Sequence, residues 1–204
     1  MWRRCMLVDV DSRPTAARYR RMVPPERDLV SWAEGIAREA LAGVDDRLRH
    51  TAGVACRAAE AAHILPEADR PVLIAAAWLH DVGYAPEAQD TGLHALDGAR
   101  YLQRLDASAR VVNLVAHHSG ARYEAAVRGI RDLDEFMFED SPIMNVLVWA
   151  DMTVGPRGDV LSPQSRVAEI FMRYPDDHPV HQAVADAETY LTSCVAETHS
   201  RLQL

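Results

Sequence analysis

The sequence predicts a single all-α domain, on three observations. Apolar residues recur at helical spacing along nearly the whole of the 204-residue chain. No alternating run of β-branched residues is bounded by hairpin turns. No repeat, low-complexity linker or sharp change of composition divides the chain. Hydrophobic residues make up 49% of it, close to the globular average and enough to fill one core.

Residues 1 to about 25 contain Pro14 and the Pro24-Pro25 pair and read as an arm or loop; residues 26–204 form the helical domain. Within it, 27–42 places Leu29, Ala33, Ile36, Ala37 and Ala40 on one helical face. Residues 45–64 form a second helix, opened by Asp45-Asp46 at its positive end. Residues 68–82 form a third, with Pro71 in its first turn and Gly83 expected to end it in a left-handed turn. Further helices are expected over 93–105, 107–118, 121–129, 142–152 and 163–173. A last helix, about 178–201, carries Val180, Val184, Ala187, Leu191 and Val195 on one face. The stretches 84–92, 130–141 and 153–163 are the least regular.

Bulk properties narrow the function. The net charge of −8 argues against duplex nucleic acid, which needs a basic face. No apolar stretch approaches the roughly 20 residues that span a bilayer, so no membrane association is expected. The N-terminal apolar run is short, holds Asp9 and makes a poor secretory signal. Cys5, Cys56 and Cys194 are too scattered for a disulfide framework or zinc knuckle and fit a reducing, cytoplasmic compartment. All 22 basic residues are arginine, which reads as a compositional bias of the Ala-rich chain. Nothing here fixes the oligomeric state, and a homo-oligomer is compatible with the sequence.

The chemistry-bearing residues lie at particular places. His80-Asp81 closes the buried run VLIAAAWL, His117-His118 follows VVNLVA, and Asp151 follows IMNVLVWA. Three such clusters at helix C-termini put ligand atoms where partial negative charge and free carbonyls favour cations. With His50 and His94 they supply imidazole nitrogen and carboxylate oxygen without cysteine, a donor set for one or two divalent ions. Fe or Mn are favoured, and Zn, Ni, Co and Mg are compatible. His50, His80, Asp81 and Asp151 would complete one set. Asp81 has a second oxygen that can bridge to an ion held by His94, His117 and His118. Adjacent helical residues point about 100° apart, so one member of the histidine pair suffices.

The order RLRHTAGV, WLHDVGY, VWADMT resembles the HD-domain superfamily of metal-dependent phosphohydrolases. LHALDGARYL and AHHSG are similar to its two-metal branch, and most of all to bacterial enzymes that cleave dinucleoside polyphosphates. The resemblance covers about residues 44–172. It implies an HD-type helical domain with His50, His80, Asp81 and Asp151 as the first ligands, His94 and the pair His117-His118 at a second ion, and Asp81 at the catalytic centre; some two-metal relatives have only the second histidine, so the resemblance favours His118 of the pair. It further implies a small phosphorylated substrate, foremost a nucleotide. HHSGARYEAA lacks the GYP-type triplet of the cyclic-dinucleotide branch, which argues against that substrate. Arg47, one turn before His50, with Arg100, Arg157 and Arg166, are the candidate phosphate forks. An HD-type di-iron oxygenase and a non-catalytic nucleotide-binding regulator are the alternative readings.

Overall fold

The computed structural model describes residues 29–203, with the side chain of Asp45 left aside. The expected arm over residues 1–25 lies outside this range. The described residues contain helices and turns, and one isolated antiparallel bridge, Val154 to Val160, in place of any strand. No helix among them is long and apolar enough to cross a membrane.

The architecture is a helical bundle wrapped around α3, Asp69–Leu79. Its Leu73, Ala75, Ala76, Ala77, Trp78 and Leu79 are all buried. The run of alanines lets neighbours approach from every side. Helices α1 (Leu29–Ala40), α2 (Asp45–Ala61), α5 (Ala109–His117) and α7 (Pro142–Asp151) all pack on it. α1 turns Trp32, Ala33, Ile36, Ala37 and Ala40 inward at the expected spacing. α7 starts with Pro142 in its first turn, where the missing N–H costs nothing, and buries Ile143, Met144 and Val146 through Asp151. Helix α4 (His94–Arg104) packs on α5 and on the 3-10 turn Val82–Tyr84; α6 (Ala121–Arg128) ends at Gly129 in the left-handed region.

Two sequence expectations are corrected. Gly83 does not end α3 in a left-handed turn: the positive-φ glycines are Gly43, Gly92, Gly120, Gly129 and Gly158. α3 instead runs through His80 and Asp81 into the 3-10 turn. Gly83 is required there for closeness, since a Cβ would sit 1.8 Å from the His94 carbonyl oxygen and 2.7 Å from Gly98 N. The second correction is the last helix, which is two: α9 (Pro179–Asp186) and α10 (Glu188–Leu202), separated at Ala187. The break lets α9 lie on α6 and α10 on α7. Between α7 and α9, α8 (Pro163–Arg173) opens on Ser162, whose Oγ accepts from Ser165 N.

Candidate metal centre

Five elements converge on one buried point. His50 comes from the middle of α2. His80 and Asp81 lie just past α3, His94 at the first position of α4, His118 just past α5, and Asp151 at the end of α7. Two groups of donors form, each with atoms within 4.8 Å of one another: His50, His80 and Asp151, and Asp81, His94 and His118. Except for His94, which is partly buried, all of these residues are buried.

The imidazoles are oriented by backbone carbonyls. Nδ1 of His50 lies 3.1 Å from Gly155 O, Nδ1 of His80 2.7 Å from Ala77 O, and Nδ1 of His118 2.6 Å from Val115 O. A carbonyl only accepts, so each Nδ1 carries the proton and each Nε2 presents a bare lone pair to the centre. A carbonyl accepting from the far ring nitrogen is the arrangement metal-binding histidines use. Two of the inward atoms, His80 Nε2 and Asp151 Oδ1, are buried with no hydrogen-bond partner. His50 Nε2 faces Asp151 Oδ1 at 2.9 Å, and His94 Nε2 faces His118 Nε2 at 3.1 Å. Electron-rich atoms gathered in a buried site need a cation among them. The donor set therefore fits one or two metal ions.

Asp81 links the groups. Its Oδ2 is 3.6 Å from His80 Nε2 and 3.8 Å from His50 Nε2, and its Oδ1 is 3.6 Å from His94 Nε2. Burial pushes the Asp81 carboxyl up, but His80, Arg47, His50 and His94 outweigh it and hold it well below the ordinary carboxylate range. Asp151 behaves alike: burial opposes ionisation, and His50, His80 and Arg166 hold the carboxyl low. Burial, reinforced by His118 and Arg47, pushes His94 down to about 3, and burial also lowers His118. Asp81 and Asp151 are thus ionised and His94 and His118 neutral, the forms that bind metal.

Arg47 donates to Asp81 Oδ2 at 3.1 Å and lies over the Tyr84 ring, 3.9 Å from its centroid. Tyr84 in turn stacks on His94, centroids 4.4 Å apart. Burial lowers the Arg47 guanidinium, yet the Asp81 carboxylate more than offsets it and keeps the charge. Arg166 is buried, with its Nη2 3.8 Å from Asp151 Oδ1.

Three expected site residues are not brought in. His117 is turned away: its Nε2 donates to Phe136 O at 2.9 Å and its ring meets Phe138 edge-on. The cause is the turn after it, where Ser119 (φ 50°) and Gly120 (φ 73°) both adopt left-handed backbone, so only His118 is delivered inward. Arg100 is bound elsewhere, to Asp132 at 2.8 Å and Glu135 at 2.6 Å. Arg157 is exposed and does not line the cavity at the site, whereas its neighbour Pro156 does.

The sequence reading missed four residues. Tyr84 sits in the His-Asp segment itself and was within reach of it. Ser119 donates its Oγ to Asp151 Oδ2, fixing that carboxylate. Asp97 accepts from the N–H groups of Asp90, Thr91 and Gly92, folding the loop that delivers His94. Arg173 lines the cavity beside His50 and had no local signal.

The HD domain family model matches residues 47–172, more than half of the chain's 204 residues, and the chain belongs to the HD domain family. HD domains bind divalent metals and are generally metal-dependent hydrolases. No curated protein and no solved structure matches the chain.

Proposed function

We propose that the protein is a metal-dependent phosphohydrolase acting on a nucleotide or another small phosphate ester or anhydride. The observation that carries this is the pair of buried donor groups with one oxygen of Asp81 turned to each. His50, His80 and Asp151 would hold one ion and His94 and His118 a second, with Asp81 serving both. The nitrogen and oxygen donors suit Fe or Mn first, and Zn, Ni, Co or Mg as well. When bound, such ions polarise a phosphoryl oxygen and lower the pKa of water to near neutrality.

The chain's own residues orient and protect that chemistry. Carbonyls of Ala77, Val115 and Gly155 hold three imidazoles with Nε2 inward. Ser119 pins Asp151 through one oxygen and leaves the other for the centre. Arg47, seated over the Tyr84 ring, keeps N–H groups beyond its bond to Asp81 for a phosphoryl oxygen. Buried walls around the donors keep bulk water out and strengthen each of these interactions.

Among substrates, dinucleoside polyphosphates come first, because the motif order is most similar to enzymes that cleave them. The test is a phosphate-release screen over mono- and dinucleotides with anaerobically purified, metal-loaded protein. Release by the native chain and none by Asp81→Ala of unchanged helicity is expected. Oxygen uptake with an organic substrate, or tight nucleotide binding without any product, would contradict the proposal.

A further inference from the structure

A cavity of about 270 Å³ opens beside the candidate metal centre, lined by Asp46, Arg47, His50, Pro156, Arg166 and Arg173. At roughly 30 Å³ per water it has room for a small oxyanion. Of the six donors in the two groups only His50 reaches it. The cavity therefore lies next to the reacting position rather than on it.

Its charge is unusual. Arg166 and Arg173 both come from α8 and share one carboxylate, Glu169, which gives Oε2 to Arg166 and Oε1 to Arg173. The Asp46 carboxylate is taken by Arg49 at 2.9 Å and is largely exposed. Three guanidinium groups thus line the cavity: Arg47 is paired with Asp81, while Arg166 and Arg173 share Glu169, with Asp151 Oδ1 3.8 Å from Arg166. Pairs at i, i+3 and i, i+4 on a helix are ordinary surface features of small energetic weight. That reading does not cover Arg166, whose side chain is only 7% exposed and whose Nε is buried with no partner. An unpaired donor on a buried arginine is costly unless a ligand satisfies it.

We propose that this cavity is a subsite for a second anionic group of the substrate, a phosphate or a carboxylate, bound by Arg166 and Arg173, with Glu169 holding its place when the subsite is empty. The substrate is then a small molecule with two anionic groups, one at the metal centre and one in the forks of α8. The location of the reacting group rests on the phosphohydrolase reading above; the subsite itself can be tested without it.

The experiment compares the metal-loaded chain with Arg173→Gln and Glu169→Gln on three substrates: 4-nitrophenyl phosphate, 4-carboxyphenyl phosphate and a nucleoside diphosphate. Arg173→Gln is expected to raise KM at least tenfold for the carboxylated ester or the diphosphate, with kcat within twofold. The same variant leaves 4-nitrophenyl phosphate within twofold in both constants. Whichever substrate responds identifies the second group as carboxylate or phosphate. Glu169→Gln lowers that KM several-fold, because the competing carboxylate is gone. Equal shifts on all three substrates, or none on any, overturn the proposal. Calorimetry with inorganic pyrophosphate and orthophosphate separates the two readings. Tenfold weaker pyrophosphate binding in Arg173→Gln, with orthophosphate unchanged, supports the subsite even where every ester resists hydrolysis. Equal weakening of both anions overturns it, and so does weakening of neither unless the carboxylated ester alone responds to Arg173→Gln.

Discussion

Asp81 turns Oδ1 toward His94, 3.6 Å from Nε2, while its Oδ2 stands 3.6 Å from His80 Nε2. One carboxylate thus faces two separate clusters of imidazole lone pairs. The placement follows from the end of α3: Asp81 has φ −97° and ψ 7°, which takes it off the helix axis toward α4. Arg47 occupies part of Oδ2 and holds the carboxylate ionised.

The histidine pair divides cleanly. His117→Ala leaves Phe136 O without its donor and costs about 2 kcal/mol of stability. It leaves metal content and activity unchanged, because His117 belongs to neither donor group. His118→Ala lowers metal content instead. Metal analysis and urea unfolding of both variants check this; equal metal loss in the two would contradict it.

Gly83→Ala tests the contact that seats His94. The new Cβ would meet the His94 carbonyl and Gly98 N, both backbone atoms that cannot swing aside. α4 must withdraw from the 3-10 turn, at a cost of about 3 kcal/mol. Calorimetry should show a lowered Tm, and metal titration a weakening at the His94 and His118 positions first. An unchanged Tm would show that the two segments are not in contact.

Metal-free protein loses stability early on acidification. Burial holds His94, His117 and His118 below the ordinary imidazole value of 6.5. Below that pH the unfolded chain binds protons that the folded chain does not, so stability rises with pH. The contribution is complete above about pH 6.5 and is lost as pH falls toward the folded values. Asp81 and Asp151, also depressed, add a loss of the same sign at lower pH, below the ordinary carboxylate value of 3.8. Urea midpoints measured from pH 7.5 to 5 should fall steadily, before carboxylates titrate. A flat profile over that range would contradict the burial of neutral imidazoles.

The legible parts of the molecule were those written locally. Helical spacing gave α1 and its buried face, and greasy helices ending in His80-Asp81, His118 and Asp151 marked where ligand atoms converge. What escaped was set by distant contacts or by single dihedrals. His117 and His118 differ through the left-handed Ser119, and no pattern forces a serine there. Arg100 is claimed by Asp132 and Glu135, which belong to a separate turn far along the chain. The break at Ala187 carries neither glycine nor proline; it exists because α9 and α10 pack on different helices. Arg173 lines the cavity with His50 from far along the chain, and no local pattern announces that meeting.

Metal stoichiometry decides whether Asp81 joins two metal positions. Metal content per chain should be measured for the anaerobically purified native protein, His94→Ala and Asp81→Ala, with helicity as a control. Two ions are expected in the native chain, one in His94→Ala and none in Asp81→Ala, all three folded. Two ions retained by folded Asp81→Ala, or none in the native protein after loading with Fe, Mn or Zn, would contradict it.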